Sequence, residues 1–277
     1  LEGIDVSKHQ GSIDFKAVQA AGKEFVIVCG GDGAYSNPLF EEQVKGASDC
    51  YLHVEVYHFL RFNLSPAEMA GICDETYDLA LLYGMKPPGR LWLDMEDIDT
   101  CQDWTAEQRI EWLWEVIRLL TGMSIPLGIY TGGWYWQSRM GDTDAFAHLP
   151  LWTSGYPFVG INSFAEVGGL SPELYGGWTE CLIWQYHNKG QVPGIDADVD
   201  LNWAYKSWTE GSDEGMPLDY NELNSMLLQM QQDEYSVIGG FWRNIVTLAK
   251  AANDEGLSDQ EKAEVRELLG KIRLTVD

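Results

Sequence analysis

The sequence predicts an α/β fold over residues 1–208, followed by a small all-helical module. Three observations carry this expectation. Short β-like runs alternate with helical patterns across the first 208 residues. Several of those runs are continuously apolar, as in strands buried on both faces. Past a polar, glycine-bearing stretch at 209–215, TEGSDEG, the pattern becomes purely helical. Alternation of this kind builds either a parallel barrel or a doubly wound sheet.

The β-like runs are 3–6, 25–29, 53–59, 91–95, 127–130, 149–153 and 181–186. Helices are expected at 15–21, 66–83 and 105–120. Ser65 caps the second, with Pro66 at its first position. Thr105 caps the third, Gln108 completes a capping box, and Trp112, Val116 and Leu119 form its apolar face. After a linker at 209–216, residues 217–277 hold three further helical patterns, at 220–230, 237–252 and 258–273. The last of these starts with a capping Ser258 and Glu261 three residues on. A unit of this size is near the lower limit for a stable core, so it should dock on the barrel or on a second copy of itself.

The chain has 43 acidic against 18 basic residues, a net charge of −25. This argues against a nucleic-acid partner, since phosphate binding needs Lys and Arg, and against adhesion to anionic lipid. Such acidity serves solubility and would also limit sticking to anionic wall polymers. No run of eighteen apolar residues exists, so no membrane insertion is expected. The opening LEGIDVSKHQG lacks the pattern of a secretory leader, and the chain begins without Met, which leaves a removed leader open. Five cysteines, at 29, 50, 73, 101 and 181, are odd in number and unclustered. They read as mostly reduced, buried thiols, with no zinc spacing among them. No metal or cofactor is predicted.

The sharpest chemical signal is LWLDMED at 91–97. Residues i and i+2 share one face of a strand, with Cα atoms about 6–7 Å apart. Asp94 and Glu96 should therefore point the same way at the carboxyl end of a buried strand, with Met95 pointing to the other side. In parallel barrels that end builds the active site. Two neighbouring carboxylates oppose each other's ionisation, and a proton-holding acid beside an ionised carboxylate is what glycosidic cleavage needs. A helix cap or an arginine pair would explain either residue equally simply. Asp5 ends the first strand in GIDVS, where a turn role is the simpler reading. The stretch 194–202, GIDADVDLN, is acidic at alternate positions and includes Asp200; it lacks the glycine and glutamate spacing of an EF-hand. Tyr57, Phe59, Tyr130, Trp152, Tyr156, Trp184 and Tyr186 all fall at or just beyond strand ends, where rings can stack on sugars; for any one ring, core packing is the simpler role.

These stretches resemble glycoside hydrolase family 25, the N-acetylmuramidases of the Chalaropsis type, common in phage endolysins and bacterial autolysins. The matching segments run in family order: GIDVSKHQG at 3–11, FVIVCGGDG at 25–33, VYHF at 56–59, LWLDMED at 91–97, GIYTG at 128–132, LWTSGY at 151–156 and WQYHNKGQVPGIDADVDLNWAY at 184–205. The resemblance covers about three quarters of the chain. It implies a modified barrel of eight strands with fewer helices than strands, and cleavage of the β-1,4 bond from N-acetylmuramic acid to N-acetylglucosamine in bacterial peptidoglycan. It makes Glu96 the general acid and Asp94 its partner carboxylate, places Asp5 and Asp200 at the cleft floor, and gives Tyr57, Tyr130 and Trp184 to the sugar subsites. Two routes stay open: attack by the substrate's own 2-acetamido group, with Asp94 steadying the intermediate, or inversion by an activated water.

The chain departs from the family after the second strand, where Cys29-Gly30-Gly31-Asp32-Gly33 replaces the usual polar residue and Thr-Glu-Gly. Residues 217–277 match no wall-binding repeat, so wall binding, homo-oligomerisation and attachment are all open for them. A chitinase is the nearest competing glycosidase, but its aspartates would have to stand at 89, 92 and 94, where this chain has Gly89, Trp92 and Asp94. A non-catalytic wall-binding or virion structural protein would not need Asp5, Asp94, Glu96 and Asp200 together. The resemblance places an endolysin in the host bacterial cytoplasm until its release to the cell wall, with secretion as the alternative.

Overall fold

The computed structural model describes residues 1–87, 89–157 and 161–205; the linker at 209–216 and the helical module at 217–277 lie outside the described residues. Strands β1 (Glu2–Val6), β2 (Phe25–Asp32), β4 (His53–Phe59), β5 (Leu91–Asp94), β6 (Leu127–Gly132), β7 (Leu151–Ser154), β8 (Ile183–Gly190) and β9 (Val199–Ala204) follow one another around a single sheet, with the two-residue β3 (Tyr35–Ser36) hairpinned onto β2. Pairing of β1 with β2 closes the sheet, so the described residues form an eight-stranded barrel and not a doubly wound sheet. Its pairings are parallel except at the seam, where β9 runs antiparallel to both β8 and β1.

Among the described residues five α-helices accompany the strands: α1 (Phe15–Ala20), α2 (Phe40–Asp49), α3 (Pro66–Tyr83), α4 (Ala106–Gly122) and α5 (Gly133–Arg139). The two strongest local signals act as the sequence suggests. Ser65 and Glu68 exchange side-chain and backbone bonds at the start of α3, and Thr105 and Gln108 do so at α4. The buried face of α4 is Trp112, Leu113, Val116, Ile117 and Leu120, with Leu119 only at its margin. Helix α2 has no side-chain cap and carries Gly46, so its sequence is quiet; burial of Phe40, Gln43, Val44 and Ala47 on one face is what holds it.

The strand alternation divides the apolar residues into two sets. Phe25, Ile27, Trp92, Tyr130, Trp152, Ile183 and Ala204 fill the barrel interior. Val26, Val28, Leu93, Met95, Ile129 and Leu151 face outward into the layer shared with the helices. Glycine makes room for the large interior rings: a Cβ on Gly128 would lie 2.4 Å from the Trp92 ring, and one on Gly3 2.5 Å from Phe25. The barrel is therefore a packed core with its chemistry at one rim.

Candidate active site

The rim is built by residues that continue the interior-facing parity of each strand. On β5, Trp92 points in, Asp94 is next on that face, and Met95 turns out into the helical layer. The backbone keeps its ladder past the formal strand end, because Met95 N donates to Tyr130 O at 2.9 Å and Leu60 N donates to Asp94 O at 3.0 Å. Glu96, half-buried, comes two places after Asp94 and near enough to Asp5 to feel its charge. Asp5 and Asp200 face each other across the antiparallel β1–β9 pair. The first and last strands thus bring two acids to the same rim as the pair on β5.

Gln185, which the sequence reading did not single out, ties this arrangement together. Its Nε2 donates to Asp5 Oδ2 at 2.8 Å and to Asp200 Oδ2 at 3.4 Å. Its Oε1 accepts from Tyr130 Oη at 2.8 Å and from Tyr156 Oη. Asn202 Nδ2 adds a 2.7 Å bond to Asp5 Oδ2, while its Oδ1 accepts from Trp152 Nε1 at 2.8 Å. The available signal was parity: Gln185 follows Ile183 on the inward face of β8, and Asn202 follows Asp200 on that of β9.

The same parity corrects two aromatic assignments. Trp184 and Tyr186 lie on the outward face of β8, where Phe164 packs edge-on against both rings, at 6.1 and 5.5 Å between centroids. They belong to the covering layer and not to the cleft, because a residue one place from the inward register points to the opposite side. Trp152 is inside the barrel but only 1% exposed, wedged between Tyr130 at 4.2 Å and Tyr57 and Trp92 at 5.8 Å. It is a floor beneath the site with no free ring face. Tyr57 and Phe59 border a cavity of about 180 Å³ beside Asp94, and Tyr156 is 44% exposed at the rim.

Burial raises the proton affinity of all four acids, and the charge of a neighbouring carboxylate adds to the rise at Asp94, Glu96 and Asp200. Burial, then the charge of Asp5, pushes Glu96 up to about 7. Asp94 is raised well above the ordinary aspartate range by burial and then by Glu96, and its buried Oδ1 has no hydrogen-bond partner. Burial and Asp5 push Asp200 up to about 9, whereas the amides of Asn202 and Gln185 moderate the rise that burial imposes on Asp5. The pair therefore holds its shared proton on Asp200 and presents Asp5 as the acceptor. Asp94 and Glu96 both hold a proton more tightly than an exposed carboxyl, and loss of one proton from the pair leaves an acid beside a carboxylate.

The third acid in LWLDMED has a different task. Asp97 is fully buried and accepts from Phe62 N, Asp99 N and Thr100 N at 3.0–3.1 Å and from Thr100 Oγ1, with Arg61 at 3.1 Å. Burial alone would raise it, but these donors outweigh burial and hold it below the usual range. Arg61 also grips Asp32 through both carboxylate oxygens. Asp97 thus anchors the loop that carries Glu96.

A family model described as Glycosyl hydrolases family 25 matches residues 4–195. The chain belongs to that family. It is accordingly a glycoside hydrolase. The N,O-diacetylmuramidase of Chalaropsis sp is 30% identical over 217 residues, spanning 72% of this chain and 96% of the relative. Lysozyme M1 of Streptomyces globisporus is 26% identical, over 73% of this chain and 67% of the relative. Among solved structures, the bacterial lysozyme of Streptomyces coelicolor superposes with a TM-score of 0.62 at 23% identity, covering 76% of this chain and 94% of that one. The catalytic domain of endolysin ply40 from bacteriophage P40 of Listeria monocytogenes does so with a TM-score of 0.60 at 20% identity, covering 74% and 93%. At these identities the two structures speak for the shared fold of this family 25 chain.

Proposed function

We propose that this family 25 hydrolase is a peptidoglycan muramidase that cleaves the β-1,4 bond from N-acetylmuramic acid to N-acetylglucosamine. The observation that carries the reading is the coupled pair at the rim: Glu96 retaining its proton to about pH 7 beside Asp94, whose buried Oδ1 is unbonded. Glu96 gives its proton to the glycosidic oxygen as the C1–O bond breaks. The carbonyl oxygen of the substrate's 2-acetamido group bonds to C1, and Asp94 Oδ1 accepts the acetamido N–H. Water then attacks C1 as the bond from C1 to the acetamido oxygen breaks, Glu96 takes a proton from the water, and configuration is retained. This substrate-assisted route is a known departure from the two-carboxylate scheme. It is favoured over inversion because an unbonded buried acceptor costs about 1–3 kcal/mol, a cost that an incoming N–H removes.

Mass spectrometry of digested purified walls tests the bond assignment. New reducing ends on N-acetylmuramic acid are expected; new ends on N-acetylglucosamine alone would overturn it. The acid role also fixes a pH limb. Glu96 is competent when protonated, so kcat/KM should fall as pH rises through about 7. A rate that stays flat from pH 6 to 9 would remove Glu96 from that role.

The biological setting we favour is a phage endolysin, held in the host cytoplasm until release to the wall, with 217–277 as a targeting or assembly module. All five cysteines are free thiols, which suits a reducing compartment before release.

A further inference from the structure

The cavity beside Asp94 has a wall that the catalytic scheme leaves unused. It includes Lys8, Cys29 and Tyr35, and the same cavity is lined by Tyr57 and Phe59. The chain builds this wall as a rigid unit. The β2–β3 hairpin depends on Gly31, where a Cβ would lie 2.3 Å from the Tyr35 carbonyl oxygen. Buried Asn37 donates to Cys29 O at 2.8 Å and to Gln43 Oε1 at 3.0 Å, and Gln43 Nε2 donates to Ser7 O at 2.7 Å. Ser7 and Gln10 form a capping box around the turn that carries Lys8, and Gln10 Nε2 donates to Asp198 O at 2.9 Å. The backbone at Lys8 is thus fixed from the hairpin side and from the β9 side.

The ammonium at the end of this scaffold is unspent. Among the described residues Lys8 has no carboxylate partner, in a chain where acids outnumber bases 43 to 18. Its recorded contact is the Tyr35 ring, with Nζ 4.5 Å from the centroid. Asp32, the acid on the same wall, is held bidentately by Arg61. The cavity therefore offers an unpaired cation in the same lining as Asp94, the carboxyl proposed to receive the 2-acetamido group.

We propose that Lys8 is a specificity-determining residue whose ammonium pairs with a carboxylate carried on the 3-O-lactyl arm of the muramic residue. The inference rests on the muramidase reading and deepens it. C2 and C3 of the sugar are adjacent, so a ring whose acetamido group meets Asp94 directs its C3 substituent into the neighbouring space. The carboxylate is either the lactyl group's own, in a peptide-free glycan, or the first one of the stem peptide.

The test is a binding titration of the full chain carrying Glu96→Gln. Three probes are used: a GlcNAc–MurNAc tetrasaccharide with free lactyl carboxyls, its methyl ester, and the same saccharide bearing L-Ala-D-Glu. Adding Lys8→Met should weaken binding of a charged probe about tenfold and leave the ester within about twofold, with Lys8→Arg restoring most of the loss. Loss with the free acid alone identifies the lactyl carboxylate; loss with the peptide-bearing probe alone identifies the stem. Unchanged affinity for both charged probes, or equal loss on acid and ester, overturns the proposal while leaving the muramidase reading standing. Failure of the parent to bind any of the three, with retained binding of chitotetraose, overturns both.

Discussion

Replacing Glu96 by glutamine lowers kcat on purified walls by about a thousandfold or more, with the fold unchanged. General acid catalysis contributes roughly 10²- to 10⁴-fold, and here the leaving group is a sugar oxygen that departs poorly as an anion. The amide keeps the size of the side chain and its capacity to hydrogen-bond, but has no proton to give. Loss of the negative form also removes the group that takes a proton from water in the second half of the cycle. Glu96 is half-buried and the anchor of its loop is Asp97, so the substitution leaves the Asp97 bonds to Phe62, Asp99 and Thr100 intact. Reducing-end release and circular dichroism check the two halves of the statement. Near-normal release from a folded Gln variant would end the assignment.

The Asp94→Asn variant loses about a hundred- to thousandfold in kcat, by removal of a charge-bearing acceptor from a site where burial makes it strong. An asparagine can offer its oxygen to the acetamido N–H but cannot take the proton or balance the positive charge that develops as the oxazolinium ring closes. The loss should therefore fall on kcat more than on KM. A second expectation separates the two chemical routes. Under substrate assistance, a glycan with de-acetylated amino groups is slow for the parent, and Asp94→Asn costs it little more, because both changes delete the same interaction. Losses that multiply independently would favour the activated-water route, and a near-normal rate with acetylated walls would give Asp94 a purely structural place.

The sequence is most informative where local chemistry and burial agree. The capping boxes at Ser65 and Thr105 and the apolar strand leading to Asp94 need no tertiary knowledge, and they mark α3, α4 and the rim. Strand β9 is less legible: alternating acids over 196–202 resemble a loop, and only pairing with β1 and β8 makes them a strand with Asp200 and Asn202 inward. Helix α5 starts on Gly133 with no side-chain cap, so nothing local announces it. Gln185 was hidden for a related reason. Its neighbours Trp184 and Tyr186 are larger and more conspicuous, yet parity turns both outward and leaves the amide to meet Asp5, Asp200 and two tyrosines. Side-chain type suggests which residues can act; register decides which ones do.

The antiparallel seam has a consequence in time. Asp5 is made before its amide partners Gln185 and Asn202, which come 180 and 197 positions later. On a growing chain β1 has no β9 beside it until residues 199–204 have emerged. Closure is thus the latest and most non-local step of folding. Until then the acids at the rim lack the neighbours that set their proton affinities, so a nascent or truncated chain carries the motif at 91–97 without its poise. The proton affinities of Asp5 and Asp200 arrive with β9, as a property of the finished ring.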